Sequence, residues 1–414
     1  MRVLLLSQYF FPEVGATQTR MYEFARALVE LGHAVDVLTE FPNHPMGVIP
    51  PQYRGRWFEE DYTHPFRVLR VWVSASPRKT FWSRLCFYGS FFVMAVLGSL
   101  RLPRRYDAVV ATSPPLPVAM AGLLVSRLKK AAFVMDVRDL WPKAAQALGE
   151  LSSRRLYRLA EAMEQQLYEK AQRITATTLS FCRYINDRGI PAQKIAHIPN
   201  GTLDDIFAPE RGDADLRHRL GLEGKFVVTY AGLHGIAQGL FTVLGAAERL
   251  KGEEEIQFLF IGEGPEKAQL IAETAARGLD NVRFLPQIPL DESAHYLNAS
   301  DALLVPLKPD PVFQMFIPSK LFDGMACGKP ILLAVDGEAR AILEEAGAGL
   351  FVEPGDPEAL ATAIQYLFRH PDLCKEMGER GRLLVTRHYL RKAQARRFAE
   401  VVVAAAEERW SGRG

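Results

Sequence analysis

Short, continuously apolar segments alternate with amphipathic segments along most of the chain. In the first half the apolar segments include VLLLSQYF, DAVVATS and AAFVMDV, and in the second half they include KFVVTYAG, IQFLFIGEG, ALLVPL and PILLAV. Continuous apolar strands that alternate with helices are typical of parallel sheets covered on both faces. The pattern therefore predicts an α/β protein with two doubly wound, Rossmann-like domains.

This pattern restarts after the polar stretch 202–220, which indicates where the domains divide. We expect a first domain over 1–203, a second over 204–390, and a terminal helix at about 391–414 that can pack back on the first domain. Ligands of doubly wound sheets bind at the carboxyl ends of the strands. We therefore expect the chemistry in the loops that follow strands, at a crevice between the two domains.

The composition is that of a globular protein. The 414 residues are 48% hydrophobic and 24% charged, which excludes a disordered, collagen-like or coiled-coil chain. The cysteines lie far apart and form no CxxC or Cys/His cluster, so we expect neither disulfides nor structural zinc, and we expect a cytoplasmic location. The segment MRVLLLSQYF predicts a first strand rather than a signal peptide.

The net charge of +2 is an average over two unlike halves. Residues 1–200 carry 26 Lys and Arg against 16 Asp and Glu, whereas residues 201–414 carry 24 against 32. Such asymmetry suggests that the basic half meets an anionic partner, for example a membrane surface. Independent drift in the charge of two domains explains the asymmetry equally well.

One segment of the basic half favours a membrane surface. Residues 85–100, LCFYGSFFVMAVLGSL, are uncharged and lie between Arg84 and Arg101. As a helix they would extend about 24 Å, short of the roughly 30 Å hydrocarbon core of a bilayer. Aromatic residues crowd the first part, and basic residues flank it throughout 78–105. This pattern predicts a helix lying in the membrane interface. A helix packed on a sheet is the alternative, and both can hold.

Two glycine-rich loops follow apolar strands of the second half. In YAGLHGIAQG, Gly232 and Gly235 permit a tight turn, and the helix that follows offers free N–H groups to an anion. In FIGEGPEK, Lys267 occupies the place of the third glycine of a dinucleotide fingerprint, and no GxxxxGK[ST] occurs. These loops predict a phosphate site and disfavour both a nicotinamide oxidoreductase and a P-loop ATPase.

The segment FQMFIPSKLFDGMACGKPILLAV at 313–335 adds charged groups to this picture. Lys320 and Asp323 are three residues apart, on one side of a helix start. Lys320 is suited to neutralise a phosphate, and Asp323 is suited to accept hydrogen bonds from ribose hydroxyls. The alternative is an ordinary surface ion pair between the two side chains, worth about 0.2–0.5 kcal/mol.

Together with HIPNGTLDDIF at 197–207, these motifs resemble glycosyltransferase family 4, retaining enzymes of the GT-B fold that use sugar nucleotides. FPNHPMG at 41–47 and DLWP at 139–142 resemble the branch that contains N-acetyl-L-fucosamine transferases of bacterial surface-polysaccharide assembly. The resemblance covers nearly the whole chain. It implies a UDP-sugar donor, with an N-acetylated deoxyhexosamine as a candidate sugar, and a saccharide acceptor linked to a lipid diphosphate.

The resemblance also implies which residues bind the donor. Asp323 takes the second position of the family's E-x7-E pair, and Met315 replaces the first glutamate. Leu233 and Gln238 stand where many relatives have Arg and Lys for the pyrophosphate, so the charge is left to Lys320, helix N-termini and either His234 or an arginine of the other domain. The donor-binding residues implied in this way are Gly15, Gly232, His234, Gly235, Gln238, Gly264, Gln287, Ile288, Ser319, Lys320 and Asp323.

In the first half, Arg138 and Asp139 stand where relatives often have a His-Asp pair near the donor sugar. The resemblance therefore suggests Asp139 as the group that activates or orients the acceptor hydroxyl, with Arg138 bound to a phosphate or to Asp136. Trp141 and the FPNHP residues Asn43 and His44 are candidates for acceptor contacts. Simple turn and capping roles are the alternative for these residues.

Retention without an enzyme nucleophile suggests front-face transfer, with Arg138, Asp139 and Lys320 as the catalytic candidates. Helix termini and Lys320 can meet the phosphate charge, so we expect no metal, no cofactor and no nucleic-acid partner. A lipid-linked acceptor would place the enzyme on the inner face of the cell membrane. A UDP-sugar epimerase of the same architecture and a non-catalytic sugar-nucleotide-binding protein are the competing hypotheses.

Overall fold

The computed structural model describes residues 1–13, 15–44, 46–77, 80–149, 151, 153–211, 213 and 215–411. The chain divides into two compact units. Unit 1 comprises Met1–Asn200 together with Arg391–Gly414, and unit 2 comprises Gly201–Leu390. The terminal helix therefore belongs to the first unit, and the chain passes between the units at two points.

Unit 1 contains a mostly parallel sheet, in which the order of the strands is β3-β4-β2-β1-β5-β6-β7-β8 and only the β3–β4 pair is antiparallel among the described strands. The central strands are buried on both faces, as their continuous apolar sequences predict. The strands are β1 Arg2–Leu6, β2 Ala34–Glu40, β3 Phe58–Asp61, β4 Arg67–Val71, β5 Ala108–Ser113, β6 Ala132–Val137, β7 Arg173–Ala176 and β8 Ile195–His197.

Helices cover both faces of this sheet. The first six are α1 Ala16–Glu30, α2 Phe81–Ser99, α3 Leu116–Lys129, α4 Trp141–Ala147, α5 Arg154–Lys170 and α6 Leu179–Asp187. The chain's last helix, Arg391–Ser411, is α15 in chain order and packs beside α1. Phe24 of α1 stacks on Phe398 of α15 with ring centroids 3.7 Å apart. This stack joins α15 to the hydrophobic core formed by α1 and the sheet.

Unit 2 contains a second sheet, parallel throughout its described strands, in the order β11-β10-β9-β12-β13-β14. Its strands are β9 Phe226–Ala231, β10 Ile256–Ile261, β11 Val282–Leu285, β12 Ala302–Pro306, β13 Ile331–Ala334 and β14 Gly349–Phe351. Its helices are α7 Leu216–Arg219, α8 Leu240–Arg249, α9 Lys267–Ala276, α10 Leu290–Asn298, α11 Lys320–Ala326, α12 Glu338–Ala346, α13 Pro357–Arg369 and α14 Pro371–His388.

The strand order locates a switch point in each sheet. In unit 1, β1 lies between β2 and β5, and in unit 2, β9 lies between β10 and β12. Loops that leave the carboxyl ends of such strands diverge and leave room for a ligand. The loops that follow β1, β5 and β6 in unit 1, and those that follow β9, β10 and β12 in unit 2, are therefore the places to look for a functional site.

Helix α2 contains most of the apolar segment that the sequence singled out. Thr80 caps its first turn by accepting a hydrogen bond from the backbone N–H of Ser83. Phe91 and Ala95 are buried, and the helix packs on α3, β2 and β4, whereas Trp82, Leu85, Val93 and Leu97 are exposed. No helix in the described part of the chain combines the length and the apolar character that crossing a membrane requires. Arg78 and Lys79 lie outside the described residues.

Candidate functional site

The first glycine of the loop after β9 makes room for a lysine side chain. Gly232 has a φ of 146°, a backbone conformation that residues with a side chain rarely adopt. A Cβ at this position would lie 3.0 Å from Nζ of Lys320. Lys320 is the first residue of α11, so its side chain reaches across the sheet from the loop after β12 to the end of β9. The structure thus brings the predicted phosphate loop and the predicted lysine together.

Lys320 is held by an aromatic partner that sequence reasoning missed. Its Nζ donates a hydrogen bond to the hydroxyl of Tyr230 (2.9 Å) and lies 4.2 Å from the centroid of that ring. The Tyr230 hydroxyl in turn donates to the carbonyl oxygen of Leu233 (2.6 Å). Removal of the ammonium from water lowers the pKa of Lys320 to about 7, and Asp323 opposes this shift.

Asp323 is anchored from the first residues of unit 2. Its Oδ1 accepts a hydrogen bond from the Thr202 hydroxyl at 2.8 Å. Thr202 is fully buried, and its backbone N–H donates to the carbonyl oxygen of Tyr389. The motif HIPNGTLDDIF therefore supplies a residue that fixes the carboxylate predicted to bind ribose. Ser319 precedes α11, and its carbonyl oxygen accepts from the N–H groups of Phe322 and Asp323.

His234 has an environment that keeps it neutral. The side chain is fully buried, and its ring packs against the rings of Tyr230, Phe260 and Phe284. Burial lowers the pKa of His234 to about 4, and the charge of Lys267 contributes in the same direction. At neutral pH this histidine therefore supplies no positive charge, and the burden of the predicted phosphate charge shifts further to Lys320.

The glycines of the loop after β10 have a packing role. A Cβ at Gly264 would collide with the backbone of His234, and one at Gly262 would collide with the backbone of Gly232. The two glycine-rich loops therefore pack backbone against backbone, which explains FIGEG without a dinucleotide. Lys267 joins the loop after β10 to the end of β11 by donating to the carbonyl oxygens of Gly262 (2.8 Å) and Leu285 (2.9 Å).

The remaining donor candidates line the same edge of the sheet. A Cβ at Gly235 would lie 2.7 Å from Oε1 of Gln238, which belongs to a short 3-10 turn before α8. Gln287 is exposed after β11, and Ile288 is half-buried against the small apolar cluster around Val227. Met315 ends a 3-10 turn over Pro311–Met315, one loop before Lys320.

In unit 1, Arg138 connects three loops at the carboxyl edge of the sheet. It follows β6, and its guanidinium donates hydrogen bonds to the Thr17 hydroxyl in the first turn of α1 and to the carbonyl oxygen of Pro114 after β5. Gly15, which precedes α1, accepts from the backbone N–H and the hydroxyl of Thr19 through its carbonyl oxygen. Arg138 thus fixes the loop expected to meet the donor phosphate.

Asp139 lies next to this arginine, and Trp141 begins helix α4 just beyond it. Burial raises the pKa of Asp139 to about 6, and the Arg138 guanidinium opposes the rise. A carboxylate with a pKa near neutrality is suited to act as a general base. The sequence alternatives for Arg138 included a pairing with Asp136, but Asp136 accepts hydrogen bonds from Arg20 and Thr175 instead.

Asn43 uses its polar groups inside its own loop. Its side-chain amide donates to Glu40 (2.6 Å) and to the carbonyl oxygen of Phe41 (3.0 Å). The backbone N–H groups of Asn43 and His44 donate to Oε1 of Glu13 at 2.6 and 2.7 Å. This arrangement favours the turn alternative for Asn43, while the exposed His44 ring lies 5.3 Å from that of Tyr9.

Beside this loop lie two carboxyl groups that sequence reasoning missed, the half-buried Glu13 after β1 and the buried Glu40 at the end of β2. Burial raises the pKa of both, and their mutual proximity raises that of Glu40 further. Neither residue stands out in the sequence, because the proximity of Glu13 to Glu40 depends on β1 and β2 being neighbours.

Among the residues that the structure describes, no group of three His, Cys, Asp or Glu side chains is placed to hold a metal ion.

The sequence matches two known domain families. Residues 15–201 match the family described as glycosyl transferase 4-like domain, and residues 213–384 match the family described as glycosyl transferases group 1. The putative colanic acid biosynthesis glycosyl transferase WcaI of Escherichia coli is 27% identical over 396 residues, which cover 92% of this chain and 96% of that protein. The probable glycosyltransferase WbjE of Pseudomonas aeruginosa is 28% identical over 63% of this chain and 66% of its own length.

Solved structures agree in fold at low sequence identity. Sucrose-phosphate synthase from Thermosynechococcus elongatus superposes with a TM-score of 0.75 at 20% identity, covering 97% of this chain and 98% of that one. Anabaena HepE, solved in complex with UDP and glucose, gives a TM-score of 0.73 at 17% identity, covering 97% of this chain and 99% of that one. The predicted GT-B fold, with two parallel-sheet α/β domains, is confirmed.

Proposed function

Because the chain consists of a glycosyl transferase 4-like domain followed by a group 1 domain, we propose that this glycosyltransferase moves a sugar from a UDP-sugar to a lipid-diphosphate-linked saccharide during assembly of a surface polysaccharide, such as an O-antigen or capsule. The observation that carries the proposal is Lys320, a lysine aimed at the glycine loop after β9 with clearance supplied by Gly232. HepE, a protein of the same fold, is described in complex with UDP-glucose.

The donor diphosphate is met by Lys320 and by backbone N–H groups of the glycine loops. Net charge does not attract the nucleotide, because residues 201–414 carry 32 acidic against 24 basic residues. An oriented ammonium is sufficient, because one charge-assisted hydrogen bond in a desolvated site contributes more than distant surface charges. Asp323, fixed by Thr202, accepts the ribose hydroxyls, and the backbone after β11 receives the uracil.

Transfer proceeds with retention of the anomeric configuration. Asp139 accepts the proton of the acceptor hydroxyl as the new glycosidic bond forms, and the bond from the sugar to the β-phosphate breaks with its electron pair on UDP. Lys320 stabilises the negative charge that develops on the leaving diphosphate. Arg138 positions the first turn of α1, and its charge acts on the neighbouring Asp139. No metal or cofactor is required in this scheme.

The acceptor is presented by unit 1, at a membrane. The exposed apolar side chains of α2 enter the interface, and nearby arginines such as Arg101 contribute about 1 kcal/mol each near an anionic surface. The same helix is buried on its other side against α3, β2 and β4, as the packed-helix alternative predicts, and its exposed side remains accessible for the proposed membrane contact. In this proposal the enzyme is cytoplasmic and peripheral, on the inner face of the membrane. N-Acetylated deoxyhexosamines are the donor sugars to test first.

Incubation of the purified protein with a panel of UDP-sugars and a polyprenyl-diphosphate-linked sugar tests the proposal. Mass spectrometry of the lipid fraction is expected to find one added sugar, and NMR of the product is expected to show the donor's anomeric configuration. Isomerisation of the donor without transfer would identify an epimerase. Binding of UDP-sugars without any turnover, with each acceptor tried, would identify a non-catalytic binding protein.

A further inference from the structure

The contact between Tyr230 and Lys320 places an ammonium group in an unusual setting. The Tyr230 side chain is fully buried, and burial raises the pKa of its phenol, so the hydroxyl stays neutral. Nζ of Lys320 donates to that hydroxyl at 2.9 Å and faces the aromatic ring. A neutral hydroxyl and a ring face replace water incompletely, since an ammonium can donate three hydrogen bonds.

The charged and titratable groups around Lys320 do not compensate for this loss of water. Asp323, on the same helix, favours the charged amine but is engaged by Thr202 at 2.8 Å. His234, on the loop after β9, is neutral near pH 7 because burial lowers its pKa to about 4. Tyr230, on β9 itself, brings no charge. Lys320 therefore titrates near neutrality, with a pKa of about 7, when the donor is absent.

From this geometry we propose that donor binding is coupled to the uptake of one proton by Lys320, and that Tyr230 is the positioning residue that sets the pH at which this coupling occurs. The inference rests on the proposed function, because the donor diphosphate is the anion that recharges the amine. The proton comes from solvent, an N–H bond forms at Nζ, and no other bond changes. In the donor-free enzyme the hydroxyl of Tyr230 holds the amine beside Gly232.

The sign of the pH dependence follows from this coupling. Below the pKa of the donor-free enzyme, Lys320 is charged with and without the donor, so binding takes up no proton. Above it, the amine is neutral until the diphosphate binds, so uptake approaches one proton and donor affinity falls about tenfold for each further pH unit. Half a proton is therefore taken up near pH 7 in the native protein.

Isothermal titration calorimetry measures this uptake directly. The full chain is titrated with UDP-glucose and with UDP-N-acetylglucosamine, whose diphosphates are esterified at both ends and do not titrate near neutrality. At pH 8, Asp139 is already ionised because its pKa is about 6. The difference between the binding enthalpies in HEPES and in Tris is expected to correspond to about 0.9 proton per donor bound. Equal enthalpies in the two buffers, after correction for dilution, would overturn the coupling.

Two variants test whether Lys320 is the group that takes up the proton and whether Tyr230 sets the pH midpoint of the uptake. Lys320→Arg keeps a positive charge that does not titrate near neutral pH. The enthalpy of donor binding to this variant is therefore expected to be the same in HEPES and in Tris. Tyr230→Phe keeps the ring and removes the acceptor, so the midpoint of uptake is expected to move about one pH unit lower, the effect of losing one hydrogen bond to a charged donor. The expected rise in donor KM at pH 7, with an unchanged acceptor KM, separates this role from a merely structural one.

Lys329→Met is the matched control, because burial also lowers the pKa of Lys329. Lys329 precedes β13 and so lies at the amino end of that strand, whereas the proposed donor site lies at the carboxyl ends of the strands of the same sheet. The difference between its donor-binding enthalpies in HEPES and in Tris is expected to equal that of the native protein. An unchanged midpoint in Tyr230→Phe would overturn the role of Tyr230. Failure of UDP, UDP-glucose and UDP-N-acetylglucosamine to bind at any pH would overturn the proposed function together with this inference, whereas binding without proton uptake would overturn the inference alone.

Discussion

Arg20 and Asp136 form a two-point ion pair in the interior of unit 1. Nη2 and Nε of Arg20 lie 2.9 and 3.1 Å from the two carboxylate oxygens of Asp136, and the side chains are 1% and 0% exposed. Nη1 of Arg20 also donates to the carbonyl oxygen of Pro199. One guanidinium thus joins α1, the end of β6 and the last residues of the unit before Gly201.

Replacement of one partner of this pair is expected to destabilise unit 1 strongly. Arg20→Met leaves the Asp136 carboxylate buried, with the Thr175 hydroxyl as its remaining hydrogen-bond donor among the described residues, which costs about 3–5 kcal/mol. Chemical denaturation followed by circular dichroism measures the loss. Glu30→Gln, at the exposed end of the same helix, is the control, because the Glu30 side chain is 54% exposed and loss of its ion pair with Arg26 is expected to cost less than about 1 kcal/mol. Equal stabilities of the two variants would contradict the role of the pair.

Lys320→Ala is expected to lower kcat/KM for the donor by about 10²–10³-fold, because the developing charge on the leaving diphosphate loses its ammonium. The thermal midpoint is expected to stay within a few degrees of the native value, since removing a desolvated amine costs little packing. Lys329→Ala, assayed in parallel, is expected to retain activity. Near-native turnover by Lys320→Ala would remove this lysine from the diphosphate.

Asp139→Asn is expected to reduce kcat by about 10²–10⁴-fold, the usual loss when a general base is removed. The native enzyme is expected to lose activity as the pH falls through about 6, where the Asp139 carboxylate takes up a proton. Residual activity of the variant should lack this acidic limb. A native pH profile that is flat between pH 5 and 8 would exclude Asp139 as the base.

The same residue predicts an effect on stability. A carboxyl group whose pKa is raised in the folded state binds more protons when folded than when unfolded, so stability falls as the pH rises from about 4 to about 6. Asp139→Asn removes the buried charge and is expected to be more stable than the native protein at pH 7 by about 1–2 kcal/mol. Chemical denaturation of both proteins at pH 4 and at pH 7 tests this prediction. A difference in stability between variant and native protein that is the same at both pH values would contradict it.

Glu40→Gln is expected to preserve the stability of the loop that contains Asn43. Burial and the nearby Glu13 raise the pKa of Glu40, which favours its neutral form, and a glutamine carbonyl can still accept from the Asn43 amide. Glu40→Ala removes that acceptor and is expected to cost about 1–3 kcal/mol. Thermal denaturation of both variants measures these effects. Equal losses of stability in the two variants would show that the hydrogen bond to Asn43 is unimportant.

Vesicle sedimentation tests the membrane role of α2. Trp82 and Leu85 are 71% and 52% exposed, so the double change to serine is expected to weaken binding to anionic vesicles by at least about tenfold. The matched control changes Ile271 and Leu383, which are 44% and 51% exposed in unit 2, to serine. Absence of native binding to anionic vesicles, or equal losses in the two double variants, would defeat the anchor hypothesis.

Much of the fold could be predicted because it follows from local patterns. Continuous apolar runs specify strands buried on both faces, and their alternation with amphipathic segments specifies parallel doubly wound sheets. Helix α2, at Phe81–Ser99, begins four residues before the uncharged segment predicted from the sequence, because Thr80 supplies the cap. Glycine motifs and the spacing of Lys320 and Asp323 likewise indicated a phosphate site, and the matched domain families support the same class of enzyme.

The partners of the site residues could not be predicted in the same way. Tyr230 meets Lys320 across 90 residues, and Arg20 meets Asp136 across 116, because strand order brings distant chain segments to one sheet edge. No local periodicity encodes that proximity. The sequence by itself determined the fold class and the residue types of the site. Tertiary structure decided which of them are desolvated and paired, and therefore that His234 is neutral while Lys320 and Asp139 titrate near physiological pH, since desolvation depends on every neighbour that folding assembles.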